Sequence, residues 1–377
     1  MKLQISLAFD AGSDTEPLLE SVPQSPAVFA LHLEPGPVAK LQPYLSRTSA
    51  LRRRLTRLLG EPRADSKRLS LREFTRRIEY QCVGSSFEGQ WLLYHLSRFY
   101  YPRLYRQRLR LKVPPLLKLN FSNRFPRCYP TRRLANDGAL YYGPFPSKVA
   151  AERFAAEFLD FFKIRRCVED LNPDPSHPGC IYSQMRMCLA PCFAGCTDEE
   201  YQQELARVIE ALDGEGEPLL RALKAARTQA SEALDFEQAG RIHRKVEKAQ
   251  EVFRQKSELV RNLQDLHAVI VLRGAEPKTV VFFRVCAGEI RGPATLSFDE
   301  NVPSPVPLDE QLHTLLHSLA DPPRRLDEPP PWEHLRLLTR WYYSSFREGE
   351  LVMLNRHPDI PHARLIRLCR KMLAMAT

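Results

Sequence analysis

The sequence predicts a multidomain protein built from α/β and α+β units. Three observations carry that prediction. The chain has 377 residues, more than one hydrophobic core ordinarily organises. Short apolar alternations and helical periodicities succeed one another along it, with turn residues between them. Five of its nine cysteines fall between Cys167 and Cys196, which marks a specialised middle stretch. Four units are expected: a small α/β domain at 24–106, a helical, cysteine-rich middle domain at 114–214, a helical hairpin at 217–256, and a β-meander with a helical tail at 263–377.

Residues 1–23 are polar, weakly patterned and read as a loose leader. A strand is expected at 27–33, ended by Pro35-Gly36-Pro37, and a second at 38–45. Leu51, Leu55, Leu58 and Leu59 recur at helical spacing before Gly60. Arg52, Arg53 and Arg57 leave that helix on its other faces. With Arg47 they form a candidate phosphate contact, although a solvated face is the commoner fate of a basic run. A charged loop at 61–70, a strand at 74–82 and a helix at 88–99 complete the unit, and Pro102 closes that helix.

A strand at 116–121 opens the second unit. Residues 125–130 read as connecting chain, and Asp137-Gly138 and Gly143-Pro144 as turns. Ser147 caps a helix running to 162, with Val149, Phe154, Phe158, Leu159 and Phe162 inward. Thr197-x-x-Glu200 is a capping box for a helix with Tyr201, Leu205, Val208, Ile209 and Leu212 on one side. Two further series step by three and four: Leu219, Leu223, Ala226, Ala230, Leu234, and Phe236, Ala239, Ile242, Val246, Ala249, Phe253. They make a two-helix seam that buries little alone, so the hairpin should dock on something. Residues 267–273, 279–285 and 294–298 alternate as a β-meander. Proline-rich stretches at 303–307 and 322–331 separate it from helices at 332–346 and 362–375.

The net charge is +10 and the sequence pI about 9.2, with arginine well ahead of lysine. Arginine suits bidentate phosphate contacts, so DNA or RNA is a candidate partner. No apolar run is long enough to cross a membrane, and the first residues do not form a secretory signal. A cytoplasmic protein with reduced thiols is expected, with no membrane contact and no small-molecule substrate.

The cysteines read Cys167-x12-Cys180-x7-Cys188-x3-Cys192, with Cys196 four residues on. Such clustering suits one centre held by thiolates. A four-iron cube and a structural zinc both need four converging thiolates, and spacing leaves both open.

Phe125-Pro126-Arg127, Asp137-Gly138-Ala139, Tyr142-Gly143-Pro144 and the four cysteines, ending in Cys188-Leu189-Ala190-Pro191-Cys192, stand in the order and nearly the spacing of the UvrC family. This is the nuclease subunit of bacterial nucleotide-excision repair and its shorter relatives. The chain resembles that family over roughly 24–300. The resemblance implies a [4Fe–4S] cluster on Cys167, Cys180, Cys188 and Cys192, with zinc as the alternative. Cys196 lies outside the pattern, and Arg186 stands where the family usually has glycine before the third cysteine. Leu234-Asp235-Phe236-Glu237-Gln238-Ala239 and Arg241 resemble the UVR motif. They imply docking of the hairpin on a UvrB-like protein through Leu234, Phe236 and Ala239, with Phe236 as anchor.

The first unit resembles a GIY-YIG nuclease domain that has lost part of its site. The first motif stands as Ala27-Val28-Phe29 and the second as Tyr44-Leu45-Ser46, and the arginine is Arg54. The metal-binding glutamate aligns with Leu93, and leucine cannot ligate a hard cation. Phe29 lacks the phenolic oxygen used for proton transfer or positioning. Tyr44 and Arg54 are the residual catalytic residues, and magnesium or manganese belongs there only if the site is active. Glu88, five residues before Leu93, turns to another face of its helix. Neither the RNase H-like nuclease nor the hairpin–hairpin DNA-binding region of full-length UvrC is expected in the tail. The expected function is a DNA- and UvrB-binding excision-repair protein with impaired incision. Its rivals are an active endonuclease cutting on one side of a lesion, and a zinc-stabilised nucleic-acid-binding protein.

Overall fold

The computed structural model describes residues 3–33, 42–61, 69–299, 306–320, 331–354 and 360–374. The first unit runs β1 (Ile5–Ala8), α1 (Glu16–Ser21), β2 (Ala27–Leu33), β3 (Tyr44–Thr48), α2 (Leu51–Leu59), β4 (Thr75–Cys82) and α3 (Ser86–Tyr100). Its antiparallel sheet has the order β1-β4-β2-β3. Strand alternation divides its side chains. Phe29, Leu31 and Ile78 meet Leu51, Leu55, Leu58 and Leu59 of α2, while Val28, Ala30 and Leu45 meet Leu92 and Leu96 of α3.

The expected loose leader is ordered instead. β1 pairs along the sheet edge, Leu19 and Val22 are buried, and Arg72 Nη1 donates to Thr15 Oγ1 at 2.7 Å. Its apolar residues are too sparse to show a period, and long-range pairing supplies what local pattern lacks. The second strand starts at Tyr44, not residue 38; residues 34–41, and 62–68 of the expected charged loop, lie outside the described residues.

The middle unit contains α4 (Tyr105–Arg108), β5 (Leu116–Asn120), β6 (Arg127–Thr131), β7 (Leu140–Gly143), α5 (Lys148–Leu159), α6 (Ile181–Gln184), a 3-10 turn at Pro191–Phe193, α7 (Asp198–Asp213), α8 (Glu217–Glu232), α9 (Phe236–Arg254) and β8 (Arg261–Asn262). It is therefore not only helical: its sheet has the order β6-β5-β7-β8. The expected connecting chain at 125–130 contributes β6, where Pro130 is tolerated because the strand is an edge. Ser147 Oγ accepts from Ala150 N at 3.1 Å, and Thr197 and Glu200 cap each other's backbone. Val149 points to solvent, because the buried stripe of α5 is Ala151, Phe154, Ala155, Phe158 and Leu159.

The hairpin of α8 and α9 leaves this unit after α7 and returns to its sheet as β8. Its base buries Leu219, Val246, Val252 and Phe253 in the same core as Phe154 and Phe158.

The last unit runs β9 (Ala268–Arg273), β10 (Thr279–Cys286), β11 (Glu289–Ser297), α10 (Leu308–Ser318), α11 (Trp332–Tyr342), β12 (Glu350–Met353) and α12 (His362–Ala374), with sheet order β11-β10-β9-β12. The expected meander is joined by β12, too short to show alternation. A helix, α10, follows the first proline stretch; residues 300–305 and 321–330 lie outside the described residues. α10 and α12 cover one face through Leu312, Leu316 and Leu365. α11 covers the other with α3: Phe87 meets Phe283 with ring centroids 5.0 Å apart, and Trp91 Nε1 donates to Gly292 O at 3.0 Å. α3 is thus shared by the first and last sheets. Among the described residues no helix is long and apolar enough to cross a membrane.

Candidate functional site

The loop between α5 and α7 carries five cysteines. Cys180 precedes α6, and its N–H donates to Ser183 Oγ at 3.0 Å. Cys192 sits in the 3-10 turn, flanked by Ala190 and Ala194 at φ 60° and 58°. Ala190 N–H donates to Cys188 Sγ at 3.3 Å. Burial pushes the Cys188 thiol up to about 11; the Ala190 N–H opposes the shift, and the nearby Cys167, Cys180 and Cys192 add to it. Cys167, Cys180 and Cys192 line one cavity of about 570 Å³.

Arg165 supports this loop, a role the sequence did not signal. It is 3% exposed, with Nε donating to Phe125 O at 2.7 Å and Nη1 to Glu169 O at 2.7 Å and to Cys167 Sγ at 3.6 Å. Tyr201 OH accepts from Arg165 N at 2.9 Å and donates to Pro126 O at 2.7 Å. Phe125-Pro126-Arg127 is thereby fastened to the cysteines. Arg186 holds φ 55°, a left-handed conformation that suits glycine. Cys196 packs at the edge of the middle core. Among the described residues no three His, Cys, Asp or Glu side chains stand at the spacing of a single bound ion.

In the first sheet, Arg54 Nη2 donates to Tyr44 OH at 3.1 Å, and the Tyr44 ring lies 6.2 Å from that of Phe29. Leu93 is on the opposite face of the sheet, against the core of Val28, Ala30 and Leu96. The two buried carboxylates nearby are engaged elsewhere. Glu79 meets His32 at 3.1 Å and Arg77 at 3.2 Å. Glu88 accepts from Gly84 N at 2.9 Å, and burial raises its pKa against that hydrogen bond. Of the four arginines expected to contact phosphate, Arg53 and Arg57 are exposed on α2. Arg52 Nε is held by Val22 O at 2.7 Å, and Arg47 Nη1 reaches Ser86 O at 3.4 Å.

The far end of the hairpin is bare. Leu234 is 72% and Phe236 67% exposed, and Ala239 is half-buried behind them. Leu234 turns the chain at φ 59°, and Asp235 Oδ1 caps α9 by accepting from Gln238 N at 2.9 Å.

Residues 115–211 match the family described as the UvrC/Cho excinuclease middle domain. The UvrABC system protein C of Carboxydothermus hydrogenoformans is 27% identical over 281 residues, 74% of this chain and 45% of that protein. That of Methanothermobacter thermautotrophicus is 28% identical over 66% of this chain and 42% of its own length. That of Dehalococcoides mccartyi is 24% identical over 89% and 54%. No solved structure matches the chain. The chain spans about half the length of the curated relatives it matches. The middle-domain match at 115–211 and alignments that reach across most of the chain make this protein similar to UvrC proteins.

Proposed function

We propose that this protein acts in nucleotide-excision repair as a DNA- and UvrB-binding adaptor that does not itself incise. The observation that carries the reading is the surroundings of Leu93. On the GIY-YIG resemblance Leu93 takes the metal ligand's place; it packs on apolar side chains across the sheet from Tyr44 and Arg54, and Glu79 and Glu88 are committed to His32 and to Gly84 N. A hard cation needs oxygen ligands, and none of these is free to supply one. The Tyr44–Arg54 hydrogen bond favours the rival reading of a surviving endonuclease, since phosphate could still be held there. Cleavage without the metal's help would lose stabilisation of the leaving oxygen.

The reading extends to a thiolate-held centre on the four thiols. Three line a cavity larger than one ion needs, the fourth is within their electrostatic reach, and N–H groups already point at two sulfurs. Cys167, Cys180, Cys188 and Cys192 would hold a [4Fe–4S] cluster, whose contribution is to tie the loop together. The bare apolar tip at Leu234 and Phe236 suits a partner helix pair of the UvrB type, and a buried aromatic anchor is the usual hot spot of such an interface. Phe236→Ala should weaken UvrB binding by about 2 kcal/mol while leaving the fold intact.

The deciding experiment is incision of a lesion-bearing duplex with magnesium or manganese, with and without UvrB, by protein purified without oxygen. No cleavage with UvrB and DNA binding intact is the expected result. Cleavage abolished by Arg54→Ala would overturn the adaptor reading.

A further inference from the structure

We propose that α11 and the turn after it form a nucleic-acid surface, in which Arg47, Arg132, Arg336 and Arg340 hold the phosphates of one strand and Phe346 stacks on an unpaired base. The inference rests on the DNA-binding reading above and assigns it a second location, away from α2.

Arg336 and Arg340 are one helical turn apart and share a face of α11. Arg340 donates to Leu109 O at 2.9 Å and Arg110 O at 2.6 Å, so carbonyls fix its guanidinium and leave its charge in place. Arg336 Nε is buried without a partner among the described residues. The acids beside these arginines are engaged. Glu333 accepts from Arg106 and Tyr105 at 2.9 Å, and Glu348 accepts from Ser86 N at 2.6 Å. Burial and then Arg132 lower the pKa of Arg336; burial and then Arg336 and Arg47 lower that of Arg340. Arg132 therefore lies within electrostatic reach of Arg336, and Arg47 and Arg336 of Arg340, so cations from three separated segments gather along α11. A polyanion relieves that repulsion, and phosphate offers the bidentate geometry arginine prefers.

Phe346 adds a second, independent observation. It is 88% exposed, the most exposed large apolar side chain among the described residues, yet its turn is held at both ends. Trp341 Nε1 donates to Glu348 O at 2.8 Å, and Arg347 lies 4.9 Å over the Tyr342 ring. Glu348 also ties the turn to Ser86, whose carbonyl Arg47 contacts. A bare ring on a turn held at both ends is a stacking platform for an unpaired base.

The test is fluorescence anisotropy of the full chain with a labelled single strand and with the same sequence as a duplex, over a range of salt. R132Q/R336Q should weaken single-strand binding about tenfold at moderate salt and reduce the salt slope by about 1.4, the release expected for two phosphates on a single strand. Arg340 is left intact because its carbonyl bonds hold local structure. Phe346→Ala, at a position too exposed to affect folding, should weaken single-strand binding about tenfold and leave the duplex unchanged, and Phe346→Trp should restore it. R53Q/R57Q on α2 separates the two readings. If it alone weakens binding while R132Q/R336Q and Phe346→Ala behave as the parent, the α11 surface is rejected and the DNA-binding reading stands. A parent protein that ignores both DNA forms rejects both.

Discussion

In the first unit, Phe29, Leu31, Leu51 and Leu55 are fully buried, and Leu93 packs against Val28, Ala30 and Leu96. Between Cys167 and Cys196 the balance is reversed. Val168, Ile181 and Met185 are exposed at 71%, 63% and 62%, and the loop's secondary structure is one four-residue helix and a 3-10 turn. The sheet keeps its shape through burial, whatever chemistry its side chains offer. The loop has little burial to rely on and carries five cysteines. Apolar packing preserves a framework whatever its function, whereas a short polar loop holds its path only through specific bonds. In this loop those bonds include Arg165's three, Cys180 N–H to Ser183 Oγ at 3.0 Å and Leu189 N–H to Lys163 O at 2.9 Å.

The comparison is tested most severely at Cys192. If a thiolate centre supports the loop, Cys192→Ser removes one of four ligands. Iron and sulfide in anaerobically purified protein should fall to background, and the loop between residues 163 and 196 should become readily cut by protease. Cys196→Ser, outside the set of four, should change neither. Full metal content in Cys192→Ser would break the assignment, and a colourless zinc-loaded parent would move it to zinc.

On the sheet side, Leu93→Glu asks whether one missing carboxylate is all that separates this domain from a nuclease. It places a charge against Val28, Ala30 and Leu96, so urea denaturation should show a loss of about 1–3 kcal/mol. No magnesium-dependent cleavage is expected, because Tyr44 and Arg54 lie across the sheet and Phe29 still lacks its hydroxyl. Cleavage by this variant would show that the remaining parts are sufficient.

Much of this contrast is legible in the sequence. The capping box at Thr197, the N-cap at Ser147 and the leucines of α2 are local signals, and each gives a helix where it predicts one. The tip residues Leu234 and Phe236 are equally legible, since apolar side chains at a helical turn have nothing in the chain nearby to cover them. What escaped depends on distant partners. β1 and β12 are four-residue strands that exist because β4 and β9 pair with them. Arg165 reads as one more arginine in a basic chain until Phe125 O and Cys167 close around it. The sharing of α3 between two sheets follows from Phe87 and Trp91, whose partners Phe283 and Trp341 lie in the last unit of the chain.

A smaller effect sharpens the loop side. Arg186 holds φ 55°, where an L side chain crowds the following carbonyl at a cost of about 1–2 kcal/mol. Glycine removes the crowding but widens the unfolded ensemble, so part of the gain is offset. Arg186→Gly should therefore raise stability by about 0.5 kcal/mol, read as a higher urea midpoint. A loss would mean that the arginine side chain contributes to the loop.

The smallest expected effect belongs to Glu88, and its sign separates a structural carboxylate from a catalytic one. Glu88 lies in the first turn of α3, where the helix dipole favours its charge, and Gly84 N–H favours it too. Burial acts the other way and prevails, so its pKa is raised above the ordinary 4.5. The folded state then binds the proton more tightly than the unfolded chain does. Its stability contribution is fully present below that ordinary value and is lost as pH rises through the folded pKa, leaving a buried charge at pH 7. A glutamine side chain at this position would keep an oxygen for Gly84 N–H and carry no charge. Glu88→Gln should therefore be more stable than the parent at pH 7, by less than Arg186→Gly gains, and should show no advantage at pH 4. Paired urea titrations at the two pH values read the difference. A variant less stable at pH 7 would mean that the ionised carboxylate has a favourable partner, and Glu88 would then return as a candidate metal ligand for the first sheet.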